Sequence, residues 1–163
     1  MSLKLVRVDD RLIHGQVVAV WLNAVGASEI VIVDDRTAQD VFLRDVLTLA
    51  APSGTPVEVL GITDGAARVR ELAAAPAGVF VIVRSPVTAL KLRQMGVEFP
   101  LLNVGGLGAG PGRHTVYKNI SATDEELAAM RSLEALGTRV ELRIVPDDRG
   151  VDFAAVDKGA ATA

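Results

Sequence analysis

The sequence contains no cysteine, which removes disulfide staples, thiolate metal sites and cysteine nucleophiles together and suits a reducing compartment. Aromatic residues make up only 4%, too few for the stacking platforms of single-strand nucleic-acid binders. A basic surplus is missing as well: the formal net charge is −3, the wrong sign for a protein that grips a phosphate backbone. No long apolar run exists either. The longest, Val17 to Leu22, falls far short of the ~20 residues a bilayer demands. Lys4, Arg7, Asp9, Asp10 and Arg11 crowd the start of the chain, so no signal-peptide apolar segment fits there. These absences lead to an expectation of a cytoplasmic protein that binds no nucleic acid.

What is present is an ordinary globular composition: 163 residues, 50% hydrophobic and 23% charged, one domain's worth of chain. Short runs rich in Val and Ile alternate with stretches of helical period. The strand candidates are Leu3–Val8, Glu29–Val33, Pro56–Leu60, Val79–Val83, Pro100–Val104, Thr115–Ile120 and Arg139–Val145. Helices are expected over Gln16–Val25, Gln39–Ala51, Asp64–Ala75, Pro86–Met95 and Asp124–Leu136. Ser85 before Pro86 reads as an N-cap, Thr123 with Glu126 as a capping box, and Gly26, Gly96 and Gly137 as helix closers. Strand–helix alternation with short links predicts an α/β fold: a single doubly wound, mainly parallel sheet of about seven strands with helices on both faces. After about residue 146 the periodicity is lost and an irregular tail is expected.

In such folds ligands bind beyond the carboxyl ends of the strands. The first strand–helix loop, Asp9-Asp10-Arg11-Leu12-Ile13-His14-Gly15-Gln16, is the densest in reactive groups. A neutral imidazole can attack phosphorus, and His14 is one of two histidines. Arg11 can meet the phosphoryl charge with a bidentate fork. Gly15 permits close backbone approach, and Gln16 opens a helix whose first turn offers N–H groups to an anion. Asp9 and Asp10 can orient Arg11 or the imidazole. The bland alternative is a loop histidine beside a solvated ion pair. His114 reads as a loop residue, although the Gly105–Gly112 stretch before it can cradle an anion with backbone N–H donors. Arg84 and Ser85 follow the fourth strand and can face the same cleft. Asp34 and Asp35 can orient loop backbones, and Trp21 is most simply core.

The segment Arg7-Val8-Asp9-Asp10-Arg11-Leu12-Ile13-His14-Gly15-Gln16-Val17 resembles the active-site signature of IIB components in the mannose/fructose/sorbose family of the bacterial phosphoenolpyruvate-dependent sugar phosphotransferase system. The likeness continues through Trp21, Val33-Asp34-Asp35, Leu102-Asn103-Val104-Gly105-Gly106 and Val145-Pro146, nearly the whole chain. It implies one IIB-type domain over 1–163, with a seven-stranded sheet. It also implies a cytoplasmic phosphotransferase that joins the membrane transiently through its permease components. On that resemblance His14 takes a phosphoryl group on Nδ1 from a IIA phosphocarrier and passes it to a sugar delivered by IIC and IID, with Arg11 against the phosphate. Arg7, Asp10, Gly15, Gln16, Asp35, Arg84 and Ser85 form the expected supporting set. No metal or cofactor is expected, since the resemblance implies metal-free exchange between histidines. Self-association into a homo-oligomer and the identity of the sugar stay open.

Three rival readings fit the same alternation. A receiver-like domain needs an aspartate ending the third strand, where Leu60-Gly61-Ile62 stands. A dinucleotide-binding turn needs three spaced glycines, and the first loop has only Gly15. The remaining rival is a non-enzymatic small-ligand or regulatory binding domain on the same fold.

Overall fold

Val79-Phe80-Val81-Ile82-Val83 is buried at every position, as a strand covered by helices on both sides must be. It forms β4 near the middle of a sheet. The computed structural model describes residues 2–15 and 17–159. In chain order the elements are β1 (Leu3–Asp9), α1 (Val17–Val25), β2 (Glu29–Val33), α2 (Asp35–Gln39), α3 (Val41–Ala50), β3 (Val57–Leu60), α4 (Ile62–Ala73) and β4 (Val79–Val83). They continue with α5 (Pro86–Gln94), β5 (Leu101–Gly106), β6 (Arg113–Tyr117), β7 (Ile120–Thr123), α6 (Asp124–Ala135), β8 (Arg139–Leu142), β9 (Val151–Asp152) and α7 (Phe153–Val156).

The main sheet has seven strands in the order β3-β2-β4-β1-β5-β8-β9. All neighbours are parallel except β8 and β9. From β1 the chain first moves outward through β2 to β3, then returns to β4 and continues past β1 to β5 and β8. Right-handed crossovers made in opposite directions put their helices on opposite faces. Accordingly α1 and α3 pack with Leu5, Ile30, Ile32, Phe80 and Ile82 on one face. On the other, α4, α5 and α6 bury Ala66, Val69, Leu92, Met130 and Leu133 against Val6, Val8, Val31, Val81 and Val104. Each fully buried Val, Ile or Leu stabilises the fold by roughly 1.5–3 kcal/mol relative to exposure.

The expected helix ends form as their chemistry dictates. Ser85 Oγ accepts from Val87 N at 3.1 Å, and Thr123 and Glu126 complete a reciprocal capping box. Three expectations need correction. The single strand over Thr115–Ile120 is the antiparallel hairpin β6–β7, a separate two-stranded sheet, because Lys118 turns the chain at φ 50°. The seventh strand of the main sheet is instead β9. The helix expected over Gln39–Ala51 starts two residues later, as α3, and an unexpected short helix, α2, precedes it: Asp40 leaves helical geometry to close α2 through its N–H and cap α3 through its carboxylate. The stretch after Pro146 is not irregular throughout: it supplies β9 and α7, and Phe153 is buried in the core.

No helix among the described residues is long and apolar enough to cross a membrane.

Candidate active site

The loop after β1 is held by the residues between its polar ones. Leu12 N donates to the Asp9 carbonyl at 3.0 Å, closing a tight turn. Leu12 itself adopts φ 58°, a left-handed conformation that costs a non-glycine residue about 1–2 kcal/mol. Its side chain is buried in the cluster of Trp21 and Leu22, as is that of Ile13. Burying a leucine is worth about 1.5–3 kcal/mol, enough to offset the strain. Pinning Leu12 and Ile13 inward leaves Arg11 58% exposed and His14 21% exposed.

Asp9 is the centre of the constellation. It ends β1 and is 2% exposed. Its Oδ2 lies 3.0 Å from His14 Nε2 and accepts from Arg7 Nη2 at 3.3 Å. Its Oδ1 accepts from the Arg11 backbone N–H at 3.1 Å and lies 3.6 Å from Arg11 Nε. Arg7 and Asp9 stand two residues apart on a strand and therefore share a face. The Arg7 guanidinium is also buried, bonded to Asn103 Oδ1 and to the carbonyls of Arg143 and Ile144. Burial lowers its pKa to about 10, against the raising influence of Asp9. Removing one partner of such a buried pair costs about 3–5 kcal/mol, because the other charge is stranded.

Gly105 and Gly106 serve this pair. A side chain at Gly105 would overlap the Arg7 guanidinium, and one at Gly106 would overlap the Asp9 carboxylate. Both glycines lie in β5, not in a loop. The loop proper begins at Leu107 and is tied down by Asp10. Asp10 Oδ2 accepts from Gly108 N at 3.1 Å and from Arg113 Nη1 at 3.3 Å. A cavity of about 180 Å³ lies beside Arg11, lined by Asp10, Gly105, Gly106, Leu107, Gly108 and Asn119.

Of the expected site residues, the structure brings Arg7, Arg11 and His14 together around Asp9. Arg84 reaches the rim: its Nη1 donates to the Asp10 carbonyl at 2.9 Å, and its Nη2 to Thr37 Oγ1 at 3.3 Å. Gly15 has φ 50° and open space where a side chain would project. Gln16 lies outside the described residues. Asp35 and Ser85 are engaged elsewhere: Asp35 Oδ1 accepts from Ile62 N at 2.7 Å, and Ser85 Oγ donates to Glu126 Oε2 at 3.1 Å. The N–H of Gly108 faces Asp10, so at that position the expected anion cradle is already filled by a carboxylate. His114 is exposed on β6, 3.2 Å from Asp124. The sequence offered Asp9 as a residue that can orient Arg11 or the imidazole, yet Asp9 was missing from the expected supporting set, and Asn103, Arg113 and Trp21 had no role there. The two-residue spacing of Arg7 and Asp9 was the available signal for the first.

The profile described as the PTS system sorbose subfamily IIB component matches residues 3–162. The sorbose-specific EIIB component of Klebsiella pneumoniae is 34% identical over 94% of this chain and 93% of its own length. That of Lacticaseibacillus casei is 33% identical over 95% and 94%. The crystal structure of the IIB domain of the sorbose permease from Klebsiella pneumoniae superposes with a TM-score of 0.90 at 34% identity, covering 100% of this chain and 99% of that one. IIB components of this kind act as phosphotransferases in sugar uptake and work with IIA and with IIC and IID permease components. The chain belongs to the sorbose subfamily of IIB components of the sugar phosphotransferase system, passing phosphoryl groups from a IIA component to a sugar.

Proposed function

We propose that His14 is the phosphoryl carrier and that Nδ1 is the atom that bears the group. The observation that carries this reading is the 3.0 Å contact between His14 Nε2 and the buried Asp9 carboxylate. A carboxylate accepts only, so Nε2 holds a ring hydrogen, and in the neutral ring Nδ1 then keeps its electron pair. That pair attacks phosphorus while the donor nitrogen of the IIA phosphohistidine departs with the electrons of the broken P–N bond. The ring then carries positive charge, which the Asp9 carboxylate faces. Arg11, exposed and beside the cavity, meets the phosphoryl oxygens. In the second step a sugar hydroxyl oxygen attacks phosphorus, the P–Nδ1 bond returns its pair to the ring, and the hydroxyl proton leaves to solvent.

Arg84 and Asp10 are proposed to fix the rim around this atom, and Asp35 and Ser85 to act only through the helices they cap. The acceptor is a sugar held by the membrane permease, the donor a phosphorylated IIA protein, and the chain visits the membrane only by docking to the permease. The test is labelling with phosphoenolpyruvate, the general phosphotransferase proteins and a cognate IIA. An acid-labile, alkali-stable label is expected, lost in His14→Ala and kept in His114→Ala. Labelling that survives His14→Ala would overturn the assignment.

A further inference from the structure

Asp9 Oδ2 is shared by two donors of different kinds: His14 Nε2 at 3.0 Å and Arg7 Nη2 at 3.3 Å. Arg7 has no freedom to do anything else. Its Nη1 is held by Asn103 Oδ1 and the Arg143 carbonyl, and its Nη2 also donates to the Ile144 carbonyl at 3.0 Å. The guanidinium carbon lies 5.0 Å from the centroid of the Trp21 ring, and Trp21 Nε1 donates to the same Ile144 carbonyl at 3.1 Å. A cation fixed on every side therefore shares one carboxylate oxygen with the reactive imidazole.

We infer that Arg7 is a positioning residue that acts through Asp9, balancing its charge so that the carboxylate orients His14 without capturing it as an imidazolium. This deepens the reading of His14 as phosphoryl carrier and rests on it. A buried carboxylate with no cation of its own would draw a second proton onto the imidazole beside it. An imidazolium has no electron pair at either nitrogen and cannot attack phosphorus. With Arg7 in place the Arg7–Asp9 pair is close to neutral, and the ring meets an oriented acceptor.

When phosphorus bonds to Nδ1, the donor nitrogen keeps the electrons of its broken bond and the Nε2 hydrogen stays where it is. The new positive charge on the ring then faces Asp9. Among the described residues, few other charged groups face this pair. Arg11 Nε, 3.6 Å from Asp9 Oδ1, belongs to the exposed rim. From β8, Glu141 approaches through Asn103 Nδ2 at 3.3 Å, and just after β8 the Arg143 guanidinium carbon lies 5.7 Å from the centroid of the Trp21 ring. From α1 comes Trp21, which is uncharged, and from β4 Ile82 stands opposite Arg7.

The test measures the rate of phosphoryl acceptance by the full chain from phosphorylated IIA across a range of pH. In Arg7→Gln the acidic limb of the profile moves to higher pH, and acceptance at neutral pH falls about tenfold, the equivalent of one pH unit. Arg7→Lys, which keeps the charge and loses the fork, restores the position of the limb. Adding Asp9→Asn to Arg7→Gln also moves the limb back, with a lower maximum. A folded Arg7→Gln protein whose limb has not moved would overturn the inference and leave Arg7 a packing residue.

Should Arg7→Gln not fold, nitrogen NMR of the wild-type His14 ring decides at neutral pH. One protonated and one bare nitrogen, with Nε2 the protonated one, supports the inference. A doubly protonated ring defeats it. If the wild type takes no label from its donor, the carrier reading fails, and the NMR result still reports separately on Arg7.

Discussion

Two neighbouring rows of residues cross the sheet, one facing each way. The row Leu60, Val33, Val83, Val8, Val104, Leu142 and Val151 is apolar from edge to edge. The next, Val59, Ile32, Ile82, Arg7, Asn103, Glu141 and Asp152, changes character at β1. The apolar row lies under α4, α5 and α6, which the returning half of the chain lays across the whole face. On the other face α1 and α3 cover only the half from β3 to β1, because the chain moves outward in that direction alone. Where helix cover ends, polar side chains begin. The site sits on that boundary, where a buried cation and carboxylate can be enclosed by backbone carbonyls and still reach the rim through His14.

The contrast can be broken most violently on the apolar side. Val83→Asp places an unpaired carboxylate where the wild type is fully buried and should abolish cooperative folding, read as loss of a thermal transition. On the polar side, Gly105→Leu should cost stability by about 1–3 kcal/mol from overlap with Arg7, and lower phosphoryl acceptance together with it. Arg11→Ala separates the two properties. Its side chain is exposed, so thermal stability should hold within about 0.5 kcal/mol while phosphoryl transfer slows by about 10²–10³. Near-normal transfer in that variant would remove Arg11 from the reaction.

The smallest effect lies away from both rows. Burial first, then Asp157 and Asp152, raises the pKa of Glu134 on α6. A raised folded-state value means the stabilising contribution is present at low pH and is lost as pH rises through it. Glu134→Gln should therefore be slightly more stable than wild type at neutral pH, by about 0.5 kcal/mol or less, with the difference closing in acid. A difference that grew in acid would reverse the sign.

Most of the parallel sheet was legible because buried strands such as Val79–Val83 are written as unbroken apolar runs. The β6–β7 hairpin was not, since its turn uses Lys118 and Asn119 with no glycine to mark it. The short helix α2 was hidden because Asp35-Arg36-Thr37-Ala38-Gln39 is polar and carries no apolar period to announce it. In the site, His14 and Arg11 stood out as reactive groups in a first strand–helix loop. The hub role of Asp9 depends on Arg7 and on backbone from β5 and from the segment after β8, contacts that local spacing does not encode. The glycines at 105 and 106 were misread for the same reason: they suggest an anion cradle of backbone N–H groups in sequence and are clearance for a guanidinium and a carboxylate in space.

Leu12 gives the reactive loop its mechanical character. A left-handed residue whose side chain is locked among Trp21 and Leu22 is a fixed post, and His14 stands two residues beyond it. Donor and acceptor proteins thus meet the imidazole at a constant height and orientation, without first freezing a wandering segment. Encounters can be brief and weak yet productive, which is what a shuttle serving two clients in turn requires.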